Sequence, residues 1–245
     1  MKKAWYLGYT AKDIGDRAIL IGDPDRVERI ARLLERPQFL PVSRGLRSVT
    51  GRFGDHTVTV AAFGMGAPIA TIVLHELADL GISRFLRIGT AMYFPPAHGG
   101  DFIISQSALG FDGTSPSYLE SDAPYPADAA MIAALDKAAT AAGRTAHTGL
   151  YATYDAFYRD MFGIDDAGRA RAENNRRKLA EKGVLAIDME TAGLLAAANA
   201  VDVAFATLCL GTVDALTQEK LAPEALAEGE AMLFEIALEG ICAYG

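Results

Sequence analysis

The sequence predicts a single α/β domain of three layers, α/β/α, built on a mixed and mostly parallel central sheet and running over residues 1–245. Three observations predict it. Short β-type runs alternate with segments of helical periodicity along the chain, the pattern that lays helices on both faces of a sheet. No Pro/Gly/Ser-rich linker or shift in composition divides the 245 residues, a length that one large α/β unit accommodates. Hydrophobic residues make up 51% of the chain against 22% charged, enough for a large core and for an apolar subunit interface, whereas disorder needs the reverse balance.

Taken in order, residues 18–21 read as a strand. Asp23 follows as N-cap, Pro24 as first helical residue, and Val27, Ile30, Ala31 and Leu34 recur at helical spacing. Residues 49–53 and 57–63 are two β-type runs joined by Gly54-Asp55 as a hairpin turn. Gly64-Met65-Gly66 leads into a helix carrying Ile69, Ile72, Val73, Leu77 and Leu80, which Gly81 stops. Residues 85–88 form a buried strand ending at Gly89, and 102–105 another. Helices are expected over 127–142 and 168–182, a short strand over 185–188, a helix over 191–200, a strand over 204–210 and a closing helix over 223–243.

The formal net charge of −8 argues against nonspecific attraction to nucleic acid or an anionic membrane, both of which need surplus Lys and Arg. Cys209 and Cys242 are too few for a disulfide framework and lie in apolar segments, which suits reduced thiols and a cytoplasmic address. Lys12, Asp13 and Asp16 interrupt any signal-peptide core behind Met1-Lys2-Lys3. The longest apolar run, residues 194–210, contains Asn199 and Asp202 and reads as helix, turn and strand rather than a membrane span. His56, His75, His98 and His147 lack metal-ligand spacing, and neither a full dinucleotide fingerprint nor a nucleophile elbow occurs, so neither metal nor organic cofactor is expected.

Three stretches concentrate the chemistry. In Gly22-Asp23-Pro24-Asp25-Arg26 a tight turn opens a helix whose unpaired N–H groups and first-turn arginine favour an anion; an arginine in an ordinary ion pair is the alternative. Arg87-Ile88-Gly89-Thr90 puts a guanidinium inside an apolar strand, where burial is costly without an anionic partner. That partner is a protein carboxylate or, on the favoured reading, a ligand met at the strand end by Gly89 and Thr90. In Asp188-Met189-Glu190, Glu190 suits the vicinal hydroxyls of a ribose and Met189 the sugar face, while Asp188 is either a ligand contact or the N-cap of the next helix. Together they point to an enzyme handling a phosphate and a polyol.

In their order along the chain, Gly22-Asp23-Pro24-Asp25-Arg26-Val27-Glu28-Arg29-Ile30-Ala31, Gly64-Met65-Gly66, Phe85-Leu86-Arg87-Ile88-Gly89-Thr90 and Asp188-Met189-Glu190-Thr191-Ala192 resemble the motifs of the nucleoside phosphorylase-I family. Uridine phosphorylases and the hexameric bacterial purine nucleoside phosphorylases are the nearest in pattern. The resemblance covers nearly the whole chain. It implies a three-layer α/β fold, a homo-oligomer that is a dimer or a hexamer built as a trimer of dimers, and reversible phosphorolysis of nucleosides with inorganic phosphate as co-substrate.

The resemblance puts Gly22, Arg26, Arg87 and Thr90 on phosphate, and Arg44 in the phosphate site of a neighbouring subunit. It puts Met189 and Glu190 on ribose, with Asp188 where the family has glutamate. Tyr6 stands where the family often has a histidine reaching the 5′-hydroxyl in the adjacent subunit. At the base end Phe157 matches a stacking aromatic and Met92 replaces a glycine. Met161 and Gly163 stand where glutamine and arginine read uracil, and Leu216 near another uracil-side arginine. Asp214 aligns with a purine-side aspartate across a one-residue gap, or is a turn residue. Catalytic roles then fall to Arg87, Glu190 and Asp214, and the missing uracil readers favour a purine. A nucleosidase using water and a non-catalytic nucleoside-binding protein are the rival readings.

Overall fold

The computed structural model describes residues 2–245. Its elements are β1 (Arg17–Ile21), α1 (Asp25–Ala31), β2 (Glu35–Phe39), β3 (Ser48–Phe53), β4 (His56–Ala62), α2 (Ala67–Asp79), β5 (Arg84–Tyr93) and β6 (Phe102–Phe111). They continue with α3 (Ser115–Tyr118), β7 (Tyr125–Pro126), α4 (Ala129–Ala141), β8 (Ala146–Tyr154), a π-helical turn (Tyr158–Phe162), α5 (Asp166–Glu181), β9 (Val184–Asp188), α6 (Thr191–Ala200), β10 (Ala204–Asp214) and α7 (Pro223–Ala243). The expected α/β architecture is present, on one mixed sheet.

Why the strands form is plain in β1, all five residues of which are buried. Ala18 and Leu20 pack into the core under α2 and α6, while Ile19 and Ile21 pack into the core under α1, α4 and α7. A strand buried on both faces reads as a continuous apolar run, and its neighbours β4 and β5 are parallel to it. The β3–β4 hairpin turns at Gly54-Asp55 as expected and adds antiparallel pairing. At the edge lies β2, wholly exposed and containing Pro37, held by β3 alone; Pro is tolerated at such an edge.

The sheet also closes on itself. β10 pairs with β5 on one side and β6 on the other, β6 with β8, β8 with β9, and β9 with the far end of β5 through Met92 and Tyr93. Closure needs long strands, and β5, β6 and β10 all run past the ends read from sequence. Gly89 does not terminate β5. It lies inside the strand, and a Cβ there would sit 3.1 Å from the Arg87 guanidinium, so the glycine makes room for the arginine. A bulge between Gly211 and Val213 in β10 re-aims the strand beside the same spot.

Candidate active site

All three stretches converge on a cleft of about 600 Å³ at the carboxyl ends of β1, β5 and β9. Such an end, where chain leaves the sheet, is where α/β proteins collect ligands. Of the sequence-predicted residues, Gly22, Arg26, Arg87, Thr90, Met92, Phe157, Asp188, Met189 and Glu190 line it.

Arg87 is 4% exposed and joins two of the stretches. Its Nη1 lies 3.1 Å from Asp188 Oδ2 and donates to Cys209 Sγ at 2.9 Å, and its Nη2 donates to Glu190 Oε2 at 2.5 Å. In the chain itself the partner of this buried cation is therefore a pair of carboxylates. Burial works against the guanidinium's charge, but Cys209, Asp188 and Glu190 beside it hold its pKa well above the ordinary arginine value. Burial also pushes the Cys209 thiol up to about 11, so at neutral pH it meets Arg87 as a neutral thiol.

The two carboxylates differ in what they have left to offer. Asp188 accepts from Thr153 Oγ1 at 2.8 Å, from Thr191 Oγ1 at 2.5 Å, and from the Glu190 and Thr191 N–H groups, so both its oxygens are engaged at the start of α6. That is the capping alternative. Glu190 makes no cap; its Oε1 accepts from the Gly66 N–H at 2.8 Å. Gly66 has φ +100, a conformation suited to glycine, and it turns this N–H toward the carboxylate. The loop after β4 is thereby tied to the start of α6.

Arg26 reaches the cleft from the first turn of α1, where Asp23 Oδ1 accepts the Asp25 N–H at 2.9 Å. Its Nη2 donates to Glu230 Oε1 on α7 at 2.5 Å, and Arg29 Nη1 donates to the other oxygen. Glu230 escaped sequence reading. The available signal was a carboxylate three and four positions before Leu233 and Phe234, on the buried face of the closing helix.

Met92, Phe157, Ile187, Met189 and Val213 give the cleft an apolar lining. Phe157 packs edge-on against Phe162, ring centroids 5.6 Å apart, on the π-helical turn. Met161 is buried in the small core beneath, and its carbonyl accepts from Arg176 and, at 3.4 Å, from Gln218 Nε2.

Three predicted residues are not brought into the cleft. Asp214 does not line the cleft: its Oδ1 accepts the Leu216 N–H at 2.7 Å and the Thr217 N–H at 2.8 Å, the bonds of the turn-aspartate alternative. Thr212 and Val213, re-aimed by the bulge, line the cleft in its place. Tyr6 and Arg44 lie elsewhere, stacked on each other with the guanidinium carbon 4.6 Å from the ring centroid. Arg44 is exposed at φ +53, and the Tyr6 and Leu7 N–H groups are anchored on Glu76 at 2.6 and 2.8 Å.

Fold and site together define an α/β protein with arginines and a polyol-matching carboxylate in one cleft. The family model described as the phosphorylase superfamily matches residues 16–236. The chain is 36% identical over 197 residues to uridine phosphorylase of Salmonella typhimurium, covering 78% of each protein. It is 30% identical to uridine phosphorylase of Thermococcus kodakarensis over 84% of this chain and 76% of that one. It is likewise 30% identical to guanosine phosphorylase of Halorubrum lacusprofundi, over 87% and 84%. The chain belongs to the phosphorylase superfamily. Among the described residues no helix is long and apolar enough to cross a membrane.

Proposed function

We propose that the chain catalyses reversible phosphorolysis of a nucleoside to free base and pentose 1-phosphate. A phosphate oxygen forms a bond to the anomeric carbon as the bond to the base nitrogen breaks, and the bonding electron pair leaves with the base. The observation that carries this is the contact between Arg87 and Glu190, which makes the anion site and the polyol site neighbours in one cleft. The protein's work is then positioning and electrostatics. Nε of Arg26 and of Arg87 is buried without a hydrogen-bond partner among the described residues, leaving each arginine a donor for phosphate. Gly22 and Thr90 complete that end, and Glu190 and Met189 hold the ribose. Asp188 serves by holding Arg87. Met92 and Phe157 flank the base.

Charge supports a shared site. The cleft is lined by Arg26 and Arg87 against Asp23, Asp188 and Glu190, so one chain offers a phosphate no excess positive charge. Arg44, exposed beside Tyr6, is a cation available to a neighbour's cleft. We therefore infer a homo-oligomer, a dimer or a hexamer built as a trimer of dimers, and place it in the cytoplasm without metal or organic cofactor, binding neither nucleic acid nor membrane. The related uridine and guanosine phosphorylases span both base classes, and with Asp214 Oδ1 engaged in its own turn the base-end argument for purines rests on the lost uracil readers.

The test is a screen of uridine, inosine, guanosine and adenosine with and without inorganic phosphate. Cleavage is expected to require phosphate and to yield a pentose 1-phosphate; free pentose formed equally fast without phosphate overturns this in favour of the nucleosidase. Asp214→Asn, which keeps the Oδ1 acceptor of the turn, is expected to leave kcat/KM within about twofold for every accepted base, since each tenfold needs about 1.4 kcal/mol at the transition state. A tenfold or larger loss confined to purines would restore Asp214 to the base.

A further inference from the structure

The inner face of α7 buries Leu233, Phe234, Ile236, Ala237, Leu238 and Ile241, and Glu230 is the one ionisable residue among its buried positions. A carboxylate there is unfavourable unless paired. Both partners come from α1, roughly two hundred residues earlier in sequence. Arg26 lines the cleft; Arg29 does not, and lies instead over the Phe234 ring, 5.1 Å from its centroid.

A negative charge beside an anion site would by itself oppose the anion. Arg29 cancels it. The three side chains, two arginines on one glutamate, retain a single net positive charge, and Arg26 is held before any ligand arrives. Its side chain is 14% exposed, with Nη2 fixed on Glu230 and Nε making no hydrogen bond, 3.9 Å from Asp23 Oδ2. An arginine has many rotamers to lose, and ordering it in advance removes that cost from the binding step.

We propose that Glu230 is a positioning residue for phosphate, acting through Arg26, with Arg29 as its counter-charge. This rests on the phosphorolysis reading. It separates the two substrates: Glu230 bonds to Arg26 and Arg29 whereas the ribose-side Glu190 bonds to Gly66 and Arg87, so phosphate rather than nucleoside should feel its removal.

The experiment measures KM for phosphate and for nucleoside in wild type, Glu230→Ala and Glu230→Gln, with calorimetric binding of inorganic phosphate alone to each. Glu230→Ala is expected to raise the phosphate KM and Kd about tenfold while the nucleoside KM stays within about twofold, by loss of preorganisation. Glu230→Gln, which keeps one carbonyl acceptor, should lie between, and it carries the test if the alanine variant does not fold. A phosphate KM that is unchanged or lower overturns the proposal, because Glu230 would then be inert or a competitor. Both KM values rising together with a fall in Tm also overturns it, as a structural role. Wild type that binds phosphate but cleaves nucleosides without it defeats the phosphorolysis reading, while the ratio of phosphate Kd values still decides Glu230.

Discussion

Arg87→Ala is expected to lower kcat/KM for phosphorolysis by at least about tenfold, because a charge-assisted hydrogen bond to the phosphate contributes roughly 1.5–3 kcal/mol. A second effect comes with it. Asp188 and Glu190 are 3% and 5% exposed and share Arg87 as their buried cation. Removing one member of a buried ion pair typically destabilises by about 3–5 kcal/mol, a large part of a domain's total stability. The alanine variant should therefore also unfold at a clearly lower urea concentration. Arg87→Lys separates the effects: it keeps a positive charge for the carboxylates but lacks the planar fork that reaches Asp188, Cys209 and Glu190 at once. Its denaturation midpoint should return toward wild type while turnover stays depressed. Steady-state kinetics beside urea titration check both, and an alanine variant with wild-type kinetics would leave Arg87 a structural role only.

Recovery of activity on mixing two inactive variants is the other large effect. Glu190→Ala removes the carboxylate inferred to hold the ribose, and its hold on Arg87 and Gly66; Arg44→Ala removes the cation inferred to enter a neighbour's cleft. Each should be nearly inactive alone. In a mixed dimer one of the two sites contains both intact residues, so random exchange in a two-fold assembly should restore about a quarter of wild-type activity. Exchange proven by mass-tagged subunits with no recovery counts against the shared site. An active Arg44→Ala enzyme on its own counts against it equally.

The residues of the cleft were legible to different depths. Arg87 stood out because a guanidinium in an apolar strand is unfavourable wherever that strand is buried, a property local to the segment. Its partner was not legible. Glu190 lies 103 positions away, and no local pattern distinguishes the protein carboxylate that meets Arg87 from the ligand that was favoured. Asp214 shows the same limit in a few residues: alignment alone left it a purine contact or a turn residue, and the Leu216 and Thr217 N–H groups on its Oδ1, which favour the turn, are visible only in the folded chain.

Secondary structure divided along similar lines. Strands buried on both faces, such as β1, and helices with a clear apolar period, such as α2, were read within a few residues, since burial of one segment imprints its own periodicity. β8, Ala-His-Thr-Gly-Leu-Tyr-Ala-Thr-Tyr, was missed although Thr and Tyr favour strands, because Gly149 and the alanines break the run and leave no strict alternation; pairing with β6 and β9 makes it a strand. The exposed β2 was missed because its Glu, Arg, Pro and Gln carry little strand signal.

By itself, then, the sequence determined the layers, the helices and the kinds of side chain available at the strand ends, because period, capping and the cost of a buried charge act within a segment. Tertiary structure alone decided that the sheet closes through β10, that Asp188 and Glu190 share Arg87, that Glu230 holds Arg26, and that Arg44 and Tyr6 lie outside the cleft. Most of these contacts join residues tens to hundreds of positions apart, and their energy depends on distances that exist only once the chain has folded.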